Sequence, residues 1–172
     1  MISVLVDNEP GVLSRVAGLF SGRGFNIESL NVAETLDPEV SRMTLVTRGN
    51  DQIIEQIIKQ LNKLVNVIKV VDFLSGSDYV DREMAMIQIN ADGSSRAEIL
   101  RIIDIFRGRV VDVGPKSYTI EITGDDQKIQ AVIDLLLPFG IIEIVRTGKV
   151  AIARGKKNEG PAGKSPGKGN KD

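Results

Sequence analysis

A chain of 172 residues, 42% hydrophobic and 26% charged, is long enough to bury a sizeable core in one domain or two small ones without covalent staples. It contains no Cys and no His, which excludes disulfide frameworks, Cys or His metal sites, thiol nucleophiles and every Ser-His-Asp arrangement. The net charge of -1 is unevenly spread: five Lys fall in the tail from Gly155, leaving a body of 17 basic and 21 acidic groups that poorly matches a phosphate-backbone binder.

Residues 1–7 run or alternate apolar and predict a strand. Val12, Leu13, Val16, Leu19 and Phe20 then recur at helical spacing, with Gly24 placed to close that helix after Arg23. Residues 27–35 and 42–47 are β-rich and flank Asp37-Pro38, a turn signal, so they predict a hairpin. Asn50-Asp51 opens a second helix with the face Ile53, Ile54, Ile57, Ile58 and Leu61, and residues 65–73 form a last strand. That order, β-α-β-β-α-β, is the ferredoxin-like plan, with two helices on one side of an antiparallel sheet.

Leu74-Ser75-Gly76-Ser77-Asp78 has a linker's composition, and the same order follows it. Residues 83–90 predict a strand, and Ser95-Arg96-Ala97-Glu98 has the spacing of a capping box for a helix with Ile99, Leu100, Ile103 and Phe106 inward. Residues 110–113 and 118–123 flank Gly114-Pro115. Asp125 caps a helix carrying Ile129, Val132, Ile133 and Leu136, and residues 141–145 finish the sheet. The expected fold is therefore α+β, two tandem ferredoxin-like domains at 1–74 and 82–154, with a linker at 75–81 and a basic tail at 155–172.

No apolar run approaches the ~20 residues of a membrane span and the start lacks a basic n-region, so the expectation is a cytosolic protein without membrane or nucleic-acid partners. The tail is Gly, Lys and Pro with almost nothing apolar, a composition that does not offset its own ordering entropy. Its Gly163-Lys164-Ser165 resembles the end of a P-loop, but the first glycine of that pattern falls on Asn158 and no strand or helix is predicted around it.

The chemistry concentrates at Asp7-Asn8-Glu9-Pro10-Gly11-Val12-Leu13-Ser14-Arg15, between the first strand and first helix. A helix start offers free N–H groups and the positive end of the macrodipole, a site for a carboxylate or phosphate. Gly11 permits close approach to the backbone, and Asn8 supplies both an acceptor and a donor, a combination suited to a zwitterion. Taken alone, the same residues are also an ordinary strand-to-helix turn. Asn26, which follows Gly24 and Phe25 at the start of the second strand, would matter only if it met that junction, across a subunit boundary where two second-strand edges pair. Asp7, Glu9, Glu28 and Glu34 read as solvated surface, and Phe106-Arg107-Gly108-Arg109 as a helix end. The third strand carries no aromatic, which argues against stacking of RNA bases.

Asn8-Glu9-Pro10-Gly11-Val12-Leu13-Ser14-Arg15, Gly18-Leu19-Phe20, Arg23-Gly24-Phe25-Asn26-Ile27-Glu28-Ser29-Leu30 and Ser41-Arg42-Met43-Thr44 closely resemble the ACT domain of the small regulatory subunit of acetohydroxyacid synthase (acetolactate synthase). The second half is similar to the same family through Arg82-Glu83, Ile105-Phe106-Arg107-Gly108, Val111-Asp112-Val113, Tyr118, Gly124 and Arg146-Thr147-Gly148. The resemblance implies a non-catalytic subunit that activates a catalytic large subunit and confers feedback inhibition by valine. Thiamine diphosphate, Mg and FAD would sit on that partner and none on this chain. It also implies a homodimer of ACT domains with valine between Asn8, Gly11, Val12 and Leu13 of one copy and Asn26 and Ile27 of the other. A Glu at position 34 departs from the small or Pro residue usual there and puts a charge near that interface. The competing classes are an amino-acid-sensing transcription factor, for which no helix-turn-helix is present, and an independent enzyme, for which no catalytic constellation is visible.

Overall fold

The computed structural model describes residues 1–73 and 78–155. Strand β1 (Ile2–Asp7), helix α1 (Val12–Ser21), β2 (Ser29–Glu34), β3 (Val40–Val46), α2 (Asp51–Leu61) and β4 (Val67–Asp72) build a four-stranded antiparallel sheet in the order β2-β3-β1-β4. The repeat follows with β5 (Tyr79–Asn90), α3 (Arg96–Ile105), β6 (Arg109–Val113), β7 (Ser117–Gly124), α4 (Asp126–Leu136) and β8 (Ile141–Arg146), in the order β6-β7-β5-β8. The expected α+β class with two ferredoxin-like units is the fold observed. Of the expected linker at 75–81, residues 75–77 lie outside the described residues, as does the tail beyond Gly155.

Each sheet buries one face under its own pair of helices. In the first, Ile2, Val4 and Val6 alternate inward from β1, Met43 and Leu45 from β3, and they meet Val16, Phe20, Ile57 and Leu61. In the second, Ile87, Ile89, Ile120 and Ile122 pack under Ile99, Ile103, Ile129 and Leu136. Among the described residues, neither edge strand of the first sheet, β2 or β4, pairs with a further strand.

Local signals explain most helix ends. Asn50 and Asp125 sit in extended backbone and accept from the N–H of Ile53 and Lys128, both at the third position beyond the cap. The N–H of Gly24 donates to Ser21 and that of Phe25 to Phe20, the paired bonds of a Schellman closure with Gly24 left-handed at φ 69°. Helix α3 closes in the same way, with Arg107 in the glycine's place at φ 54°.

Ser95 departs from the expected capping box, because its side chain caps nothing on α3. Asp92 instead gathers the N–H and hydroxyl of both Ser94 and Ser95. Donation chiefly from the Ser95 hydroxyl, then from Ser94, pulls the Asp92 carboxyl down from 3.8 to about 2. A pKa depressed by folding stabilises fully above the unfolded value and is lost as pH falls through the folded one, here between about pH 4 and pH 2. An NMR titration of side-chain carboxyls should find the Asp92 midpoint near 2; a midpoint at the ordinary aspartate value would show that the serines do not hold it.

One strand was not expected. β9 (Val150–Ala153) pairs antiparallel with the first third of β5, setting Tyr79 opposite Ala153 and Arg82 opposite Val150. This ribbon covers the helix-free face of the first sheet, where Met1, Phe73 and Ala151 form a small buried cluster with Val46, Val71 and Tyr79 packed on it. The cover explains why Ser3 and Thr44, which point away from the helices, are 1% and 2% exposed. Among the described residues, no helix is long and apolar enough to cross a membrane.

Candidate functional site

The β1–α1 junction is held from three directions. The backbone N–H of Asn8 donates to the carbonyl of Glu39 (2.7 Å), and its side-chain amide donates to Pro38 O (2.9 Å) and Glu34 Oε1 (3.1 Å). Its Oδ1 accepts from the Ser41 hydroxyl (3.0 Å). Asn8 is thus an anchor for the β2–β3 hairpin, with one lone pair of its carbonyl oxygen left over. Glu34 has a local purpose as acceptor for that amide.

On the other side Asn66, 8% exposed in the α2–β4 loop, donates to Asp7 Oδ2 and Glu9 Oε2 (both 3.2 Å) and accepts from the Arg15 guanidinium. The N–H of Asp7 donates back to Asn66 O at 2.9 Å. Asp7 and Glu9, read from sequence as solvated surface, therefore brace the loop. Neither Ser41 nor Asn66 was visible as a site residue, since both act through contacts 33 to 59 positions away.

Gly11 occupies the N-cap position at φ 87°, and space is open for 4 Å around the place a Cβ would take. Helix α1 has no side-chain cap, unlike α2 and α4, and no acidic residue in its first turn. The Val12 N–H reaches Glu9 O only at 3.4 Å. The start of α1 is therefore an uncapped positive pole approached over a glycine, which suits a carboxylate. Val12 itself is buried in the core, so its side chain is not a wall of this site and only its backbone faces the opening; Leu13, expected on the inward helix face, is instead 44% exposed beside it.

Asn26 and Ile27 are elsewhere. Asn26 is exposed, its carbonyl accepts from the Thr47 hydroxyl at 2.6 Å, and Ile27 is half-buried against the core. They precede β2, whereas the Asn8 contacts lie at and beyond its other end. The six residues of β2 separate the two groups by about 20 Å of extended chain at roughly 3.3 Å per residue. One copy of the chain cannot bring them together.

Comparison with known proteins gives consistent results over both halves. Residues 2–69 match the family model described as the AHAS small subunit-like ACT domain, and residues 82–155 match that of the small subunit of acetolactate synthase. The chain is 54% identical over 159 residues to the acetolactate synthase small subunit of Haemophilus influenzae, covering 92% of this chain and 97% of that one. It is 53% identical over 156 residues to the probable acetolactate synthase small subunit of Archaeoglobus fulgidus, covering 91% and 97%. The crystal structure of the acetolactate synthase small subunit from Thermotoga maritima aligns with a TM-score of 0.82 at 45% identity, covering 91% of this chain and 97% of that one.

Proposed function

Because the chain belongs to the acetolactate synthase small-subunit family, we propose that it is the regulatory partner of a thiamine-diphosphate-dependent catalytic subunit, activating it and making it sensitive to valine. The observation that carries the effector reading is the placement of the two half-sites at opposite ends of β2, a free sheet edge. Antiparallel pairing of two β2 edges sets the end of one strand beside the start of the other. That pairing joins Asn8, Gly11 and Leu13 of one copy to Asn26 and Ile27 of its partner, twice per dimer. It also continues each four-stranded sheet into one of eight strands.

Valine has the charges and shape this composite offers. Its carboxylate fits the uncapped start of α1 over Gly11. Its ammonium takes the remaining lone pair of Asn8 Oδ1 and the side-chain oxygen of the partner's Asn26, and its isopropyl group lies against Leu13 and Ile27. Inhibition follows if this dimer arrangement, tightened by bound valine, favours a less active holoenzyme. The chain itself supplies no catalytic group in this reading, and the holoenzyme works in the cytosol. Calorimetric titration of valine into the purified chain should show one site per chain, and the same concentrations should inhibit the reconstituted holoenzyme. Heat without inhibition, or inhibition without binding to this chain, would refute it.

A further inference from the structure

The two domains meet along two very different lines. One is the apolar seam of Met1, Phe73 and Ala151 under the β5–β9 ribbon. The other is a thin polar contact between the start of β2 and the turn joining β8 to β9. There the backbone N–H of Lys149 donates to the Ser29 hydroxyl at 3.3 Å, across 120 positions of sequence. Gly148 holds φ 81°, and a Cβ on it would stand 2.9 Å from Ser29 Oγ and 3.5 Å from Ser29 Cβ. A polar cavity of about 490 Å³ lies beside this contact, lined by Glu28, Arg48, Glu83, Asp126, Arg146 and Lys149.

The turn is firmly part of the second domain. The N–H of Thr147 donates to Met84 O (3.0 Å) and its hydroxyl accepts from the N–H of Met84 (3.2 Å). Arg146 pairs with the buried Glu83 through two bonds and also reaches Asp126, which Lys149 approaches as well. Ser29, in turn, opens β2 two residues beyond Ile27, which belongs to the proposed effector site. A close-packed apolar seam is stiff, while a hydroxyl–amide contact beside a polar cavity roomy enough for water exchanges partners at low cost.

We propose that Ser29 and Gly148 form the inter-domain coupling point of this subunit. Displacement of the 26–29 segment by effector in the pocket is passed through them to the second domain, and inhibition of the catalytic partner requires that transfer. The inference rests on the effector reading above, with Ser29 and Gly148 as positioning residues that do not touch the ligand.

The test uses the full chain with its catalytic partner. Gly148→Ala forces a methyl group against Ser29, and the double variant Gly148→Ala/Ser29→Gly removes the obstructing hydroxyl and Cβ while keeping the left-handed alanine. The single variant should bind valine within about threefold of the unaltered chain yet need about tenfold more valine to inhibit the holoenzyme, and the double variant, relieved of the clash but still without the Ser29 hydroxyl, should return to about the threefold loss expected of Ser29→Ala. Should Gly148→Ala fail to stimulate the catalytic partner for want of folding, Ser29→Ala removes the accepting oxygen without strain and should raise the inhibitory concentration about threefold. Valine bound with unaltered inhibition in these single variants, or a double variant no better than Gly148→Ala, overturns the coupling point alone. No valine binding by the unaltered chain overturns the effector reading and this inference with it.

Discussion

Replacing Gly11 with aspartate should weaken valine binding at least about 100-fold, equivalent to about 3 kcal/mol, with a much smaller effect on thermal stability. Two terms act at this residue and they separate by variant. Its φ of 87° belongs to the left-handed region, where any Cβ costs about 1–2 kcal/mol, although the space around it is open. An aspartate there also places a negative charge at the positive end of α1, recovering about 0.3–1 kcal/mol and partly offsetting the strain. The ligand gains nothing from that compensation. A second negative charge stands where its carboxylate belongs, and two carboxylates about 4 Å apart repel by about 4 kcal/mol at an effective dielectric of 20. Gly11→Ala carries the strain without the charge, so it should lose less affinity and more stability than the aspartate variant. Calorimetry paired with thermal unfolding checks both. Unchanged valine affinity in Gly11→Asp would place the carboxylate somewhere other than the start of α1.

The strand and helix order was legible because it rests on periods of two and of 3.6 that neighbouring residues carry by themselves. Asn50 and Asp125 were legible as caps for the same reason: each precedes an apolar helical face and serves an N–H three residues away. Ser95 misled because Asp92, just outside the capping-box spacing, takes the N–H and hydroxyl groups with a charged acceptor. β9 escaped notice because four residues of Val, Ala, Ile and Ala are too short to establish a period, and their partner Tyr79–Arg82 lies some 70 positions earlier. The site was half legible. Gly11 and the open helix start were expected from the local string, but Val12 turned inward because helical geometry assigns it to the row of Val16 and Phe20. Asn8 was read as an acceptor and donor for a zwitterion, and its engagement by Glu34, Pro38 and Ser41 depends on how the hairpin folds back.

Breaking the β2 edge should abolish valine binding while every residue proposed to touch valine stays in place. The choice of residue follows from the ladder. Thr35 donates its N–H inward to Val40 O, and alternation along an antiparallel strand then turns the N–H groups of Glu34, Val32 and Leu30 outward to the free edge. Val32 is 40% exposed and lies near the middle of the strand, so Val32→Pro removes an outward donor and adds a ring to the edge without taking a bond from the β2–β3 ladder. A proline at an outward edge position is tolerated within one sheet and blocks pairing with another. The variant should sediment as a smaller species than the unaltered chain and give no heat with valine at concentrations about 100-fold above those that saturate the unaltered chain. Val32→Lys, which keeps the donor and places a charge on the same edge, should weaken both properties in parallel, and binding should return as protein concentration is raised. Such linkage between self-association and affinity is required when each half-site comes from a different copy. A monomeric Val32→Pro chain that bound valine normally would show that one copy holds a complete site, and Asn26 and Ile27 would then have to be removed from it.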